Sequence, residues 1–206
     1  MKLYFSPGTC ALAPHIVLRE TGLPFELVRV DIRAHKTQAG DDYYQLNPKG
    51  SVPLLELDNG ERLSEGPVIC QYIADKAGNL ELMPAAGTMQ RYRVMEWQNF
   101  ITSELHKGYS ALFNPNIDAT SKTVYRGLLR KKYEWVDSKL AGNLFLTGKA
   151  FTAADAYLFT VSRWAKAVEV DLSNLPALDA FNAAVAARPA VQAALEAEKA
   201  ASGKKH

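Results

Sequence analysis

The hydrophobic periodicity of this chain changes once, near Gly78, and that change sets the architecture. Before it, strand and helix signals alternate. Lys2-Leu3-Tyr4-Phe5 is short, apolar and aromatic, as a strand should be. Leu12 and Ile16, and Ala13 and Val17, recur four apart, and Gly22 stands just beyond, so residues 11–20 read as a helix with its stop signal. Phe25-Glu26-Leu27-Val28-Arg29-Val30 alternates apolar and polar, the pattern of a half-buried strand. The polar residues 31–42 read as a loop with a short irregular helix after it. Asn47-Pro48-Lys49-Gly50 is a turn. Val52 to Leu57 and Arg62-Leu63 are strands joined through Asp58-Asn59-Gly60, an Asn-Gly hairpin signal. Ser64 is placed to cap a helix from Glu65 to about Lys76. The order β-α-β-α-β-β-α makes the first two strands parallel and the last two antiparallel.

Gly78 to Gly87 reads as a linker, and beyond it only helical periods remain. Trp97, Phe100, Ile101 and Leu105 mark the apolar face of a long helix starting near Thr88. Leu128, Leu129, Tyr133 and Val136 mark another. Thr152 and Asp155 form a capping-box-like pair. The helix after them, Ala156 to about Val168, is apolar nearly all round and is expected at the centre of a bundle. Pro176 and Pro189 open two more helices. The expected division is an α/β domain over residues 1–80 and an all-α helical-bundle domain over 87–206.

Composition narrows the function. With Lys+Arg 24 against Asp+Glu 22, the balanced charge points to no polyanionic partner. The basic end Lys204-Lys205-His206 is too short for a nucleic-acid arm and reads as a frayed terminus. The two cysteines, Cys10 and Cys70, form no CxxC pair, so no zinc knuckle or dithiol centre is expected, and no metal site. Cys70 lies in an apolar run and reads as core. No signal-peptide pattern and no membrane-length apolar run is present, so a reducing cytoplasm is expected.

Three places can carry chemistry. Ser6-Pro7-Gly8-Thr9-Cys10 joins the first strand to the first helix, with Thr9 as N-cap candidate and Cys10 at the first helical position. Free N–H groups and the helix dipole there favour a thiolate, or a bound anion. A lone cysteine is commonly a small buried hydrophobe; this position and the two later motifs point to reactivity and a depressed pKa. Val52-Pro53 opens a strand with a residue that has no N–H to give. A cis bond there would turn the Val52 backbone outward to pair with an extended peptide-like ligand, while a trans proline would be an ordinary strand start. Ser64-Glu65-Gly66 is a second strand-to-helix turn, suited to an α-carboxylate on its N–H groups and an α-ammonium on Glu65, or simply a helix cap with an acidic first turn. Farther on, Asn99, Ser103, His106 and Ser110 fall on one helical stripe, which alone is equally a solvated face.

In combination these motifs resemble the glutathione S-transferase family over the whole chain. Pro7-Gly8-x-Cys10, Asn47-Pro48-Lys49-Gly50, Ser103 to Lys107 and Phe151 to Phe159 look like its bacterial beta class. The resemblance implies a thioredoxin-like first domain that holds glutathione, with no metal. Cys10 would stand beside the glutathione sulfur, Val52 would pair with its cysteinyl backbone, and Glu65 and the Gly66 N–H would take its γ-glutamyl end. Asn99, Ser103, Glu104, His106 and Lys107 would complete the pocket, Asn99 reaching across a homodimer. It implies a cis Val52–Pro53 bond. His106 is the second catalytic candidate, able to stabilise or protonate a thiolate. Two departures stand out. The family often has lysine where this chain has His35, which leaves the anchor of the glycine carboxylate to His35 or Lys36. Gly66 replaces a common serine. The activity implied is detoxifying conjugation of glutathione to a hydrophobic electrophile, with Tyr109 and Trp164 as pocket or core aromatics. The alternatives are glutathione-dependent thiol–disulfide exchange through Cys10 and a non-catalytic binding protein.

Overall fold

A computed structural model of the chain describes residues 1–203, and the expectation for Lys204 to His206 falls outside them. Two compact units result, one formed by residues 1–80 with the chain from Ala187 onward, the other by Glu81–Ala186.

In the first unit, β1 (Lys2–Phe5), β2 (Glu26–Asp31), β3 (Lys36–Thr37), β4 (Leu54–Glu56) and β5 (Arg62–Ser64) form one mixed sheet in the order β3-β2-β1-β4-β5. β1 and β2 run parallel, joined by helix α1 (Leu12–Thr21). β4 and β5 form the expected hairpin, with Leu55 opposite Leu63 and Gly60 at φ +85° in its turn. The polar stretch contains the two-residue β3 and is followed by a 3₁₀ turn, Tyr43–Gln45, capped by Asp42. Helix α2 (Gly66–Lys76) packs against α1. Strand alternation divides the apolar residues between faces. Leu3 and Leu55 are fully buried, as are Ile16, Ile69 and Ile73 of the helices. Tyr4 and Leu54, one position along, join Val30, Tyr43 and Val52 in a further cluster. This is a thioredoxin-like sheet domain.

In the second unit the chain forms α3 (Met89–Phe100), a π turn (Ile101–His106), a 3₁₀ turn (Lys107–Tyr109), α4 (Ser110–Phe113), α5 (Ala119–Leu140), α6 (Ala153–Ser162) and α7 (Pro176–Ala186). Thr88 caps α3 by accepting from the Arg91 N–H. Every residue of α6 is buried, as its all-round apolar pattern requires. Its capping box is complete: Asp155 accepts from the Thr152 N–H and hydroxyl, and its other oxygen takes the Leu146 N–H. α6 begins at Ala153, inside the box, and not at Ala156. On α5, Leu129, Tyr133 and Val136 are buried, but Leu128, expected with them, lies on the exposed side.

The last helix, α8 (Pro189–Ser202), departs from the expected division at residue 87. It packs along α1 and belongs to the first unit. Arg188 grips Glu20 through two N–H···O contacts of 2.6 and 2.9 Å, and Glu198 accepts from the Gly8 N–H at 2.9 Å. Sequence proximity assigned this helix to the bundle; Arg188 binds it to α1 and Glu198 to the turn before α1. Among the described residues no helix is long and apolar enough to cross a membrane.

Candidate active site

The turn between β1 and α1 holds Cys10. The Thr9 hydroxyl donates to the Ser6 carbonyl at 2.7 Å, and Gly8 adopts φ +77°, a conformation open to glycine. The first bonds, Leu12 N–H to Thr9 and Ala13 N–H to Cys10, close i−3 rings, so the helix tightens before it begins at Leu12. Cys10 therefore precedes the first helical residue by two positions. Thr9 caps only the turn, accepting weakly from the Ala11 N–H at 3.3 Å, and α1 has no side-chain cap.

The half-buried Cys10 Sγ donates to the Val52 carbonyl at 3.4 Å. Burial pushes its thiol up to about 11; its own backbone N–H opposes this, and the Glu65 carboxylate adds to it. Burial thus acts against the depressed pKa expected from the helix end, and the Cys10 thiol donates a hydrogen bond. Cys70 is fully buried on α2, as expected, and burial raises its thiol far above the ordinary range.

The Val52–Pro53 peptide is cis, as the family resemblance implied. The segment before it is held at one carbonyl: Ser51 accepts from the Asn47 amide at 2.7 Å and from the Tyr43 hydroxyl at 2.9 Å. Gly50 sits at φ +65°, where a Cβ would come within 2.7 Å of the Tyr44 ring and 3.0 Å of the His35 ring. Those rings stack with centroids 4.3 Å apart. His35 has φ +51°, and its Nδ1 is buried without a hydrogen-bond partner. The structure thus uses the His35 ring to pack the loop, whereas Lys36 is exposed on β3.

At the second strand-to-helix turn, Ser64 ends β5 and the N-cap is Glu65, one residue later than expected. Glu65 has φ +71° and ψ +106° and makes no side-chain cap. A non-glycine residue in that region is strained, a condition concentrated at functional sites. Its exposed carboxylate pairs with Lys49 Nζ at 2.7 Å. Gly66 and Pro67 open α2, so few N–H groups there are committed to the helix. The Glu65 carboxylate and the Gly66 N–H are neighbours at this turn, and the Glu65 charge acts on the Cys10 thiol.

In the second unit, the run Asn99 to Lys107 spans the π turn. Asn99, Ser103 and Lys107 are exposed. Glu104 is paired with Lys132 at 2.8 Å, and the same ammonium takes its carbonyl at 3.0 Å. His106 leaves the expected stripe. A π turn carries more residues per turn than an α-helix, and the residue at its end turns from Ser103 toward α6. There His106 Nδ1 lies 2.6 Å from the Tyr157 hydroxyl, and its ring meets Trp164 edge-on at 4.8 Å. Trp164 also meets Tyr109 and Phe113 edge-on, a cluster in which Trp164 is half-buried and Phe113 exposed. Tyr109 itself is core, donating to Tyr133 at 2.9 Å. Sequence reasoning missed four of the partners named in the two units. Lys49, Lys132 and Glu198 are long side chains whose partners are distant in sequence, and Tyr157 was indistinguishable from its apolar neighbours.

Comparison with known proteins gives the following. The family profile "Glutathione S-transferase, N-terminal domain" matches residues 8–76, and "Glutathione S-transferase, C-terminal domain" matches residues 100–189. The chain is 46% identical to Glutathione S-transferase GstA of Escherichia coli O157:H7 over 198 residues, covering 96% of this chain and 98% of that one. A sphingomonad glutathione S-transferase solved in complex with glutathione superimposes with a TM-score of 0.93 at 45% identity, over 97% of this chain and 99% of that one. A bacterial beta class glutathione S-transferase from Sphingomonas chungbukensis does so with a TM-score of 0.92 at 42% identity, over 96% and 98%.

Proposed function

Because the chain belongs to the glutathione S-transferase family, we propose that it binds glutathione and joins its sulfur to an electrophilic carbon of a hydrophobic co-substrate. The observation that carries this reading is the convergence on Cys10: its thiol donates to the Val52 carbonyl and lies within the field of Glu65. The tripeptide's cysteinyl backbone pairs with Val52, which brings its sulfur beside Cys10. Its α-ammonium takes Glu65 and its α-carboxylate the Gly66 N–H. The glycine carboxylate is left to His35 and Lys36. From the second unit, Asn99, Ser103, Glu104, His106 and Lys107 are the ligand-contacting candidates, Asn99 from the partner protomer of a homodimer.

The chemistry follows from a neutral Cys10. Glutathione loses its thiol proton to solvent, and the Cys10 S–H donates to the sulfur anion that remains. That anion attacks the electrophilic carbon, a C–S bond forms, and the leaving group departs with its electron pair. Catalysis is then positioning and stabilisation of an anion. Disulfide exchange through Cys10 needs its thiolate, which burial withholds, so conjugation is the favoured activity and a mixed disulfide forms only slowly. The reducing cytoplasm suits both free thiols.

The test is retention on immobilised glutathione followed by an aryl-halide conjugation assay, with the thiolate absorbance of bound glutathione titrated in parallel. Cys10→Ala is expected to raise the pKa of the bound glutathione thiol and leave part of the conjugation. Failure of the wild-type chain to bind glutathione, or a bound thiol with the pKa of free glutathione, would reject the reading.

A further inference from the structure

His15 lies in α1 and is fully buried within the first unit. Its ring packs between the ends of two strands. Phe5, which closes β1 just before the Ser6–Cys10 turn, lies 6.2 Å away between ring centroids. Phe25, which leads into β2, meets the imidazole edge-on at 5.8 Å. Arg19, one helical turn on, donates its Nε–H to His15 Nε2 at 2.9 Å and lays its guanidinium over the Phe25 ring at 5.7 Å. The groups themselves fix the direction of that bond. A guanidinium only donates and keeps its proton, so Nε2 accepts. The neutral ring then carries its hydrogen on Nδ1, which is buried without a hydrogen-bond partner.

A second proton could go only to Nε2, where it would point at the Arg19 Nε–H. Taking it up breaks the bond and sets two cations face to face in a buried place. No carboxylate is turned to receive an imidazolium there. Glu20 of α1 is gripped by Arg188, and Glu198 of α8 accepts from the Gly8 N–H. The strand ends present the rings of Phe5 and Phe25. Neither Glu26 of β2 nor Asp75 and Lys76 of α2 acts on the imidazole; the charge that does is that of Arg19. Burial first, and Arg19 second, push the ring down from an ordinary 6.5 to about 3. We infer that the His15–Arg19 bond is an acid-sensitive latch, which holds α1 and the Cys10 turn ahead of it against the strand ends while His15 is neutral and opens when Nε2 takes a proton. The latch does not depend on the glutathione reading. Its sign follows from linkage: the opened chain binds the proton first, so the latch is fully closed above the ordinary value of 6.5 and its contribution is lost as pH falls from there toward about 3.

The experiment has two parts, both on the full chain. Long-range ¹H–¹⁵N correlation follows the four histidine rings from about pH 7.5 down to about pH 5, across the ordinary imidazole value. The His15 signals are identified by their proximity to the Phe5 and Phe25 rings. His15 is expected to carry its hydrogen on Nδ1 alone and to gain no second proton over that range. Hydrogen exchange of the α1 amides, corrected for the intrinsic rate at each pH, then gives the opening constant of the helix in wild type and in His15→Gln. Glutamine keeps an acceptor for Arg19 and does not titrate. The ratio of the two opening constants, wild type over variant, is expected to rise about 30-fold between those pH values. Taking the ratio cancels Asp155, which titrates in the same window in the other unit. A His15 ring that gains its second proton near 6.5 in the folded chain, or that carries its hydrogen on Nε2, overturns the inference even if the variant fails to fold. A ratio that stays flat with pH in a folded His15→Gln overturns it as well.

Discussion

Ionisation of Cys10 offers the sharpest measurement on this site. Burial carries its pKa from an ordinary 9.0 to about 11. At neutral pH that lowers the thiolate fraction ~100-fold. The more basic thiolate is intrinsically more nucleophilic, with a Brønsted slope of ~0.4–0.5 in thiol–disulfide exchange, which restores ~6–10-fold. The net expectation is reaction with an aromatic disulfide reagent about tenfold slower than an ordinary thiol at pH 7. The rate should rise with pH without levelling until well beyond 9. Glu65→Gln removes a contribution that raises the pKa and should move the profile to lower pH, by less than burial moves it upward. Mass spectrometry places the label, which should sit on Cys10 and not on Cys70, since Cys70 is enclosed by α2 packing. The same shift predicts that the fold loses stability as pH climbs from about 9 toward 11, because the unfolded chain ionises first. A rate that plateaus below pH 8 would refute the desolvation account.

Asp155 and Glu198 give two further predictions. Asp155→Ala should cost about 2–4 kcal/mol in denaturant unfolding, a lost cap plus buried N–H groups of Leu146 and Thr152 left without an acceptor. Burial lifts the Asp155 carboxyl from 3.8 to about 6, so between those values the folded chain binds more protons than the unfolded one, and stability should fall by up to about 3 kcal/mol as pH rises through that window. Asp155→Asn should abolish that slope. Glu198→Ala should cost about 1.5–3 kcal/mol and accelerate hydrogen exchange at the Gly8 amide, because that N–H loses a carboxylate partner; Glu198→Gln, which keeps an acceptor, should lose less.

Much of the fold could be read from local pattern. The parallel β1–β2 pair, the Asn-Gly hairpin, the Thr152–Asp155 box and the proline-opened helices α7 and α8 all stand where turn and capping chemistry puts them. Allegiance of α8 could not be read, because it depends on Arg188–Glu20 and Glu198–Gly8, pairs 168 and 190 residues apart. Leu128 was misassigned because a run of two leucines satisfies the helical period at either position, and only packing against neighbours selects Leu129. His106 left its stripe because a π turn breaks the α period on which the stripe was computed. Local signals fail where a long-range partner or a change of helical pitch decides.

Cys10 shows how magnitude decides between two correct principles. A helix N-terminus favours negative charge by typically ~0.3–1 kcal/mol within the first turn, under one pKa unit. Cys10 stands two residues ahead of α1 and receives little of that. Desolvation acts in the opposite sense and is the larger effect, and the nearby Glu65 carboxylate reinforces it. The position was legible in Ser6-Pro7-Gly8-Thr9-Cys10, but the protonation state was not, since it depends on how deeply the folded chain buries the sulfur. A neutral donor suits the proposed reaction better than a thiolate would. Two sulfur anions side by side would repel, whereas a thiol beside the glutathione sulfur stabilises the one charge the reaction needs.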